Sequence, residues 1–205
     1  MAFISHKKKI IFVEIPRTAT TSIHQNLLYA NSITNNFSQD SNKSRHLKIS
    51  DINRLDLKYP FSEYTTFSVL RNPWKRYASF VCWVFSVLDN KKLKNTIEYK
   101  FCSTLIDKYG RDPSSIIRYA ISGGQTQDSF ITIDGEIVAS SILRFEHLKK
   151  DYTNFCLFNN IENEELRKIN VSKIHNYQDF YNKSLIKMVE KHEEKVIDMM
   201  GYTYD

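Results

Sequence analysis

Apolar positions along this chain fall into short β-branched runs and longer helical stripes, separated by polar junctions. Ile10, Ile11, Phe12 and Val13 form a continuous apolar run, β-branched at three of its four positions. That length and composition predict a strand buried on both faces. Pro16 cannot extend a sheet ladder, so the strand ends before it, and Arg17-Thr18-Ala19-Thr20-Thr21-Ser22 reads as a polar loop. Ile23, Leu27 and Leu28 then recur at helical spacing, with Thr20, Thr21 and Ser22 as N-cap candidates. A second buried strand is predicted over Tyr64–Leu70. It runs into Pro73, which suits the first turn of a helix because its missing N–H has no helical partner to lose. Trp74, Tyr77, Val81, Val84 and Leu88 give that helix its apolar stripe.

The remaining stretches are read in the same way. Asn31 to Arg45 is rich in Asn and Ser and predicts a loop, followed by a short helix capped by Ser50 or Asp51 and carrying Ile52 and Leu55. One helix is predicted over Lys91–Tyr109, closing at Gly110, and another over Pro113–Ser122, ending at Gly123-Gly124. Gln125–Phe130 and the following ITIDGEIVASSIL predict strands, with a turn at Asp134-Gly135. A helix is expected from Arg144 to about Phe158. The last elements are expected around Tyr177–Tyr181 and over Leu185–Met199, the latter with a stripe of Leu185, Met188, Val189, His192 and Val196.

Length and composition narrow the class. A chain of 205 residues suits one domain with a sizeable core, and 41% hydrophobic residues argue against disorder. The net charge of +6 implies an anionic partner without choosing among nucleotide, polysaccharide and nucleic acid. Cys82, Cys102 and Cys156 have no metal-ligand spacing and are an odd set, which fits a reducing compartment. The first apolar run breaks at Glu14 and Pro16, too early for a signal-peptide core or a membrane span. A cytoplasmic protein is the expectation.

The strand–loop–helix unit at Lys7–Leu28 carries candidate chemistry. It aims backbone N–H groups and a helix N-terminus at one place, where an anion is favoured by the amides and the macrodipole together. Arg17 and the loop hydroxyls complete a phosphate cradle, although hydroxyls ahead of a helix also serve as plain caps. The Gly-x-x-x-x-Gly-Lys-Ser/Thr pattern of nucleoside triphosphatases is missing. Arg71 stands at the carboxyl end of the second strand, where open α/β sheets bind ligands, and Ser79 lies two turns into the next helix. An arginine fork and a hydroxyl suit a phosphate monoester. The plainer alternative is Arg71 in a salt bridge.

These motifs resemble a known family. IPRTATTSI resembles the 5′-phosphosulfate loop of PAPS-dependent sulfotransferases, usually Pro-Lys-Thr-Gly-Ser/Thr-Thr-Ser, with Arg17 in place of Lys and Ala19 in place of Gly. SVLRNPWKRYASF resembles the 3′-phosphate motif of the same family, in which Arg-Asp/Asn-Pro is followed by Arg and then Ser. RHLKISDI, the Gln before Phe130-Ile131, Arg144-Phe145-Glu146-His147-Leu148 and the closing Gly201-Tyr202 resemble segments of bacterial carbohydrate-type members. The resemblance implies an α/β fold, a parallel β-sheet flanked by helices like that of the P-loop nucleotide kinases, in a single sulfotransferase domain. It implies PAPS as co-substrate, no metal, and in-line transfer of a sulfuryl group to an acceptor hydroxyl, on a carbohydrate before other classes.

It also implies roles. Arg17, Thr18, Ala19, Thr20, Thr21 and Ser22 would bind the 5′-phosphosulfate, and Arg71 and Ser79 the 3′-phosphate, with Ser172 or Lys173 adding a late contact. His46 becomes the candidate general base, since an imidazole with a pKa near ~6.5 is half-ready at neutral pH; His24 and Glu14 stand next in line. Arg17 would stabilise charge on the leaving phosphate, but a guanidinium with pKa above about 12 does not donate its proton. Two other classes remain open: a basic module gripping an anionic glycan or nucleic acid, and a nucleotide kinase. No nucleic-acid motif supports the first, and no Walker lysine supports the second.

Overall fold

Ile10–Val13 forms a strand, β2, every residue of which is buried, as its unbroken apolar run requires. It lies in a four-stranded sheet with β1 (Phe3–Ser5), β3 (Thr65–Leu70) and β6 (Ser141–Arg144), in the order β1-β2-β3-β6. β2, β3 and β6 are mutually parallel, and β1 is antiparallel to β2 at the edge. The computed structural model describes residues 2–30, 46–162, 165–166 and 176–205. The expected loop at Asn31–Arg45, and Ser172 and Lys173, lie outside those residues.

The chain divides into two compact units, Met1–Arg71 with Gln127–Asn170, and Asn72–Thr126 with Val171–Asp205. The first holds the mixed sheet with the helices α1 (Thr20–Ala30), α2 (Ile49–Asn53) and α6 (Leu148–Phe158). One face of the sheet is a tight aromatic core. Phe12 stacks on Phe67 with centroids 4.7 Å apart, and Phe67 meets Phe155 of α6 at 4.2 Å. Ile23 and Leu27 of α1, with Tyr152 and Cys156 of α6, complete it. The Tyr152 hydroxyl donates to Asn26 Oδ1 at 3.0 Å, so both buried polar groups are satisfied where α6 meets α1.

The second unit is helical. α3 (Pro73–Asp89) starts with Asn72 as N-cap, its side chain accepting from the Lys75 N–H, and Pro73 in the first turn as expected. α4 (Ile97–Tyr109), α5 (Pro113–Ser122), α7 (Lys183–His192) and α8 (Glu194–Met200) follow. The Trp74, Tyr77, Val81 and Val84 stripe is buried, and Val87 takes the place expected of Leu88. An ion pair is sunk in this unit: Arg76 Nη2 lies 2.5 Å from Glu193 Oε1, and the Tyr77 hydroxyl donates to the same oxygen at 3.2 Å. Burial pushes the Tyr77 phenol far above its usual range, so it stays a donor. Arg76, although part of the RNPWKRYAS motif, is therefore a structural residue. Glu193→Ala leaves its guanidinium buried without a counter-charge, and a loss of about 3–5 kcal/mol is expected in urea unfolding.

Several expectations are corrected. The single helix over Leu185–Met199 is two, broken at Glu193, whose backbone leaves helical geometry as its side chain turns inward to Arg76. Met188 of its stripe is exposed. The Lys91–Tyr109 helix starts only at Ile97, where Thr96 caps it, and Lys91–Leu93 is a separate short turn. Gln125–Phe130 is no strand; Asp128–Phe130 is a 3-10 turn, while β4 (Thr132–Ile133) and β5 (Glu136–Ile137) form the expected hairpin about Asp134-Gly135. The short helix α2 begins at Ile49, so Asp51 acts from inside it, accepting from the Lys48 N–H at 3.3 Å. The antiparallel edge strand β1 had no sequence signal beyond Phe3 and Ile4.

Candidate functional site

The carboxyl ends of β2 and β3 lie side by side in the first unit, with Val13 opposite Ser68. The Ser68 hydroxyl donates to the Val13 carbonyl at 2.8 Å and ties the two ends together. Open α/β sheets bind ligands outside the carboxyl ends of their strands, where the residues just past them stand. Those residues are the loop Ile15–Ala19 after β2 and Arg71 after β3.

The loop has an unusual backbone. Arg17 (φ 70°) and Ala19 (φ 64°) both occupy the left-handed region, which residues with a Cβ rarely adopt. The Thr18 side chain is fully buried, its hydroxyl donating to the Ile15 carbonyl at 2.9 Å and bracing the turn from within. The geometry at Ala19 accounts for the glycine common at that place in the motif. α1 opens at Thr20, and its first bond runs from the Ile23 N–H to the Ala19 carbonyl at 3.2 Å. Ala19 thus holds the N-cap position, and Thr20, Thr21 and Ser22 form the first turn instead of supplying the cap. The first-turn amides of a helix point along its axis at the loop, the polarity an anion requires.

Arg71 is held over this loop. Its Nη1 donates to the Arg17 carbonyl at 3.1 Å, and its guanidinium carbon lies 4.1 Å from the centroid of the Phe145 ring. The register explains the second contact, since Leu70 pairs with Arg144 and the next residues are neighbours. Its backbone N–H and carbonyl are both held by the Gln127 side chain. Gln127 and Phe145 gain their part only through folding; an isolated Gln between short elements carries no such signal. Ser79 lies in the second unit, on α3, and is 1% exposed.

Two histidines, His46 and His24, meet Glu14, the first residue past β2. The His46 Nδ1 lies 2.8 Å from the Glu14 carbonyl. A carbonyl only accepts, so Nδ1 carries the hydrogen, and in the neutral ring the lone pair is on Nε2. The Glu14 carboxylate is fully buried and lies 2.7 Å from His24 Nδ1, the imidazole being 20% exposed. Glu14 therefore meets one histidine through its backbone and the other through its side chain.

A family model for the sulfotransferase family matches residues 1–202. The chain belongs to the sulfotransferase family. Searches of curated proteins and of solved structures returned no match. For a sulfotransferase, which needs a donor of sulfate and an acceptor hydroxyl, the paired strand ends with Arg17, Arg71 and the left-handed loop are the candidate donor site. No helix among the described residues is long and apolar enough to cross a membrane.

Proposed function

We propose that this sulfotransferase moves a sulfuryl group from PAPS to a hydroxyl of a carbohydrate acceptor, with His46 as general base. The observation that carries the reading is the hydrogen bond from Arg71 to the Arg17 carbonyl, because it sets the first residue of the RNPWKRYAS segment on the hydroxyl loop after β2. Two guanidinium-bearing residues beside a helix N-terminus fit a ligand with phosphate at both ends. The strand–loop–helix order supports a P-loop-like arrangement. The family match runs through both units, which supports one sulfotransferase domain. The carbohydrate acceptor rests on the likeness of RHLKISDI and its companion segments to carbohydrate-type members. Cys82, Cys102 and Cys156 as thiols suit a cytoplasmic setting.

PAPS, when bound, supplies an activated sulfuryl group on a phosphate leaving group. His46 Nε2 takes the acceptor's hydroxyl proton as the oxygen–sulfur bond forms, and the bond from sulfur to the 5′-phosphate oxygen breaks. Arg17 and the amides of Thr18 to Ser22 hold the charge that gathers on that oxygen, as an oxyanion hole does. Arg71 holds the 3′-phosphate; Ser79, Ser172 and Lys173 join it on the sequence motifs alone. The product is adenosine 3′,5′-bisphosphate with the sulfate ester.

Calorimetric titration tests the donor half of the reading. Adenosine 3′,5′-bisphosphate is expected to bind tightly and ATP weakly. Equal binding of the two, or none, overturns it.

A further inference from the structure

Gln127 is a buried polar residue to which the chemistry above gives no task. It is 0% exposed and opens the turn Asp128–Phe130. Burying an amide is costly unless its donors and acceptor are matched. Gln127 matches its oxygen and one of its N–H groups on the backbone of a single residue: Oε1 accepts from the Arg71 N–H at 3.0 Å, and Nε2 donates to the Arg71 carbonyl at 2.9 Å. Paired strands exchange N–H and C=O groups in the same way.

The place of this exchange matters. β3 pairs with β6 as far as Leu70 and Arg144, so Arg71 is the first residue beyond the ladder. Its N–H belongs to the peptide plane before its Cα and its carbonyl to the plane after. With both planes pinned, the two soft torsions of Arg71 are set. A long side chain magnifies any turn at its Cα, so fixing those torsions fixes where the guanidinium is aimed. The far end of the side chain is steadied by the Arg17 carbonyl and the Phe145 ring.

We propose that Gln127 is a positioning residue for the nucleotide site: it aims Arg71 before ligand arrives and so sets the preference for nucleotides with a 3′-phosphate. This rests on the PAPS reading and deepens it. The amide touches the backbone of Arg71 and acts through it.

The test compares adenosine 3′,5′-bisphosphate with adenosine 5′-monophosphate, which differs only in lacking the 3′-phosphate. Gln127→Met keeps the shape and removes both hydrogen bonds. Bisphosphate affinity is expected to fall about tenfold, from two bonds of modest net worth each. Monophosphate affinity falls clearly less, so the ratio between the two nucleotides shrinks. An equal fall for both, or no fall, overturns the proposal, since a merely structural role leaves the ratio untouched. Wild-type protein without preference for the bisphosphate removes the PAPS reading itself, a different result from an unchanged ratio in the variant. Should Gln127→Met not fold, Gln127→Glu serves. A protonated carboxyl donates one bond and accepts one, as the amide does, whereas the ionised form has no donor. Its bisphosphate affinity relative to wild type at each pH is expected to approach unity at low pH and fall as pH rises. A relative affinity flat across pH overturns the proposal.

Discussion

Arg71→Ala will lower the affinity for adenosine 3′,5′-bisphosphate about a hundredfold or more while the protein stays folded. Two charge-assisted hydrogen bonds to a phosphate, each worth about 1.5–3 kcal/mol, set that scale. The structure adds a second consequence. Because Nη1 also donates to the Arg17 carbonyl, the variant removes a brace from the 5′ loop, and adenosine 5′-monophosphate will lose affinity too, by a smaller factor. Arg71→Lys keeps the charge without the planar fork and is expected to recover only part of the loss. Titration calorimetry on the three proteins reads all of this. Unchanged bisphosphate affinity in Arg71→Ala would remove Arg71 from the site.

His46→Ala will abolish transfer, by about 10²–10⁴ in turnover, and leave bisphosphate affinity within about twofold of wild type. The selectivity of the effect follows from the anchor. His46 is tied to a backbone carbonyl, so deleting its ring leaves the Glu14 carboxylate and its contact with His24 in place. Release of adenosine 3′,5′-bisphosphate from PAPS in the presence of acceptor measures the rate. Should turnover survive in His46→Ala and vanish in His24→Ala, the base is His24, already oriented by a buried carboxylate.

The elements that bear the two motifs were legible because local signals agreed there. An unbroken apolar run made β2, Pro16 barred its extension, and Pro73 opened α3 three positions past the end of a buried strand. Phe12 and Phe67 lay in these runs, whereas Tyr152 and Phe155, which complete the aromatic core, carried no signal of their own. What stayed hidden depends on partners far away in the chain. Nothing near Glu193 announces a helix break, which comes from an arginine 117 positions earlier. The fixing of Arg71 is of the same kind, since Gln127 is 56 residues distant. The hydroxyl loop misled about its cap for a different reason. Thr20 to Ser22 are all competent cap residues, and the left-handed turn at Ala19 brings the helix start forward by one position.

That turn has a bearing on the working cycle. A glycine at position 17 or 19 would reach the same conformation and many others besides, and each arriving nucleotide would have to select among them. With side chains at both positions the left-handed turn is strained, so the rest of the fold has to hold it, through the Thr18 hydroxyl on the Ile15 carbonyl and Arg71 on the Arg17 carbonyl. Under the proposed function, a loop held in this way is shaped by the fold before the anion arrives, which lowers the ordering cost of binding. On the proposed PAPS reading, the mould for the donor is a standing strain of the resting protein.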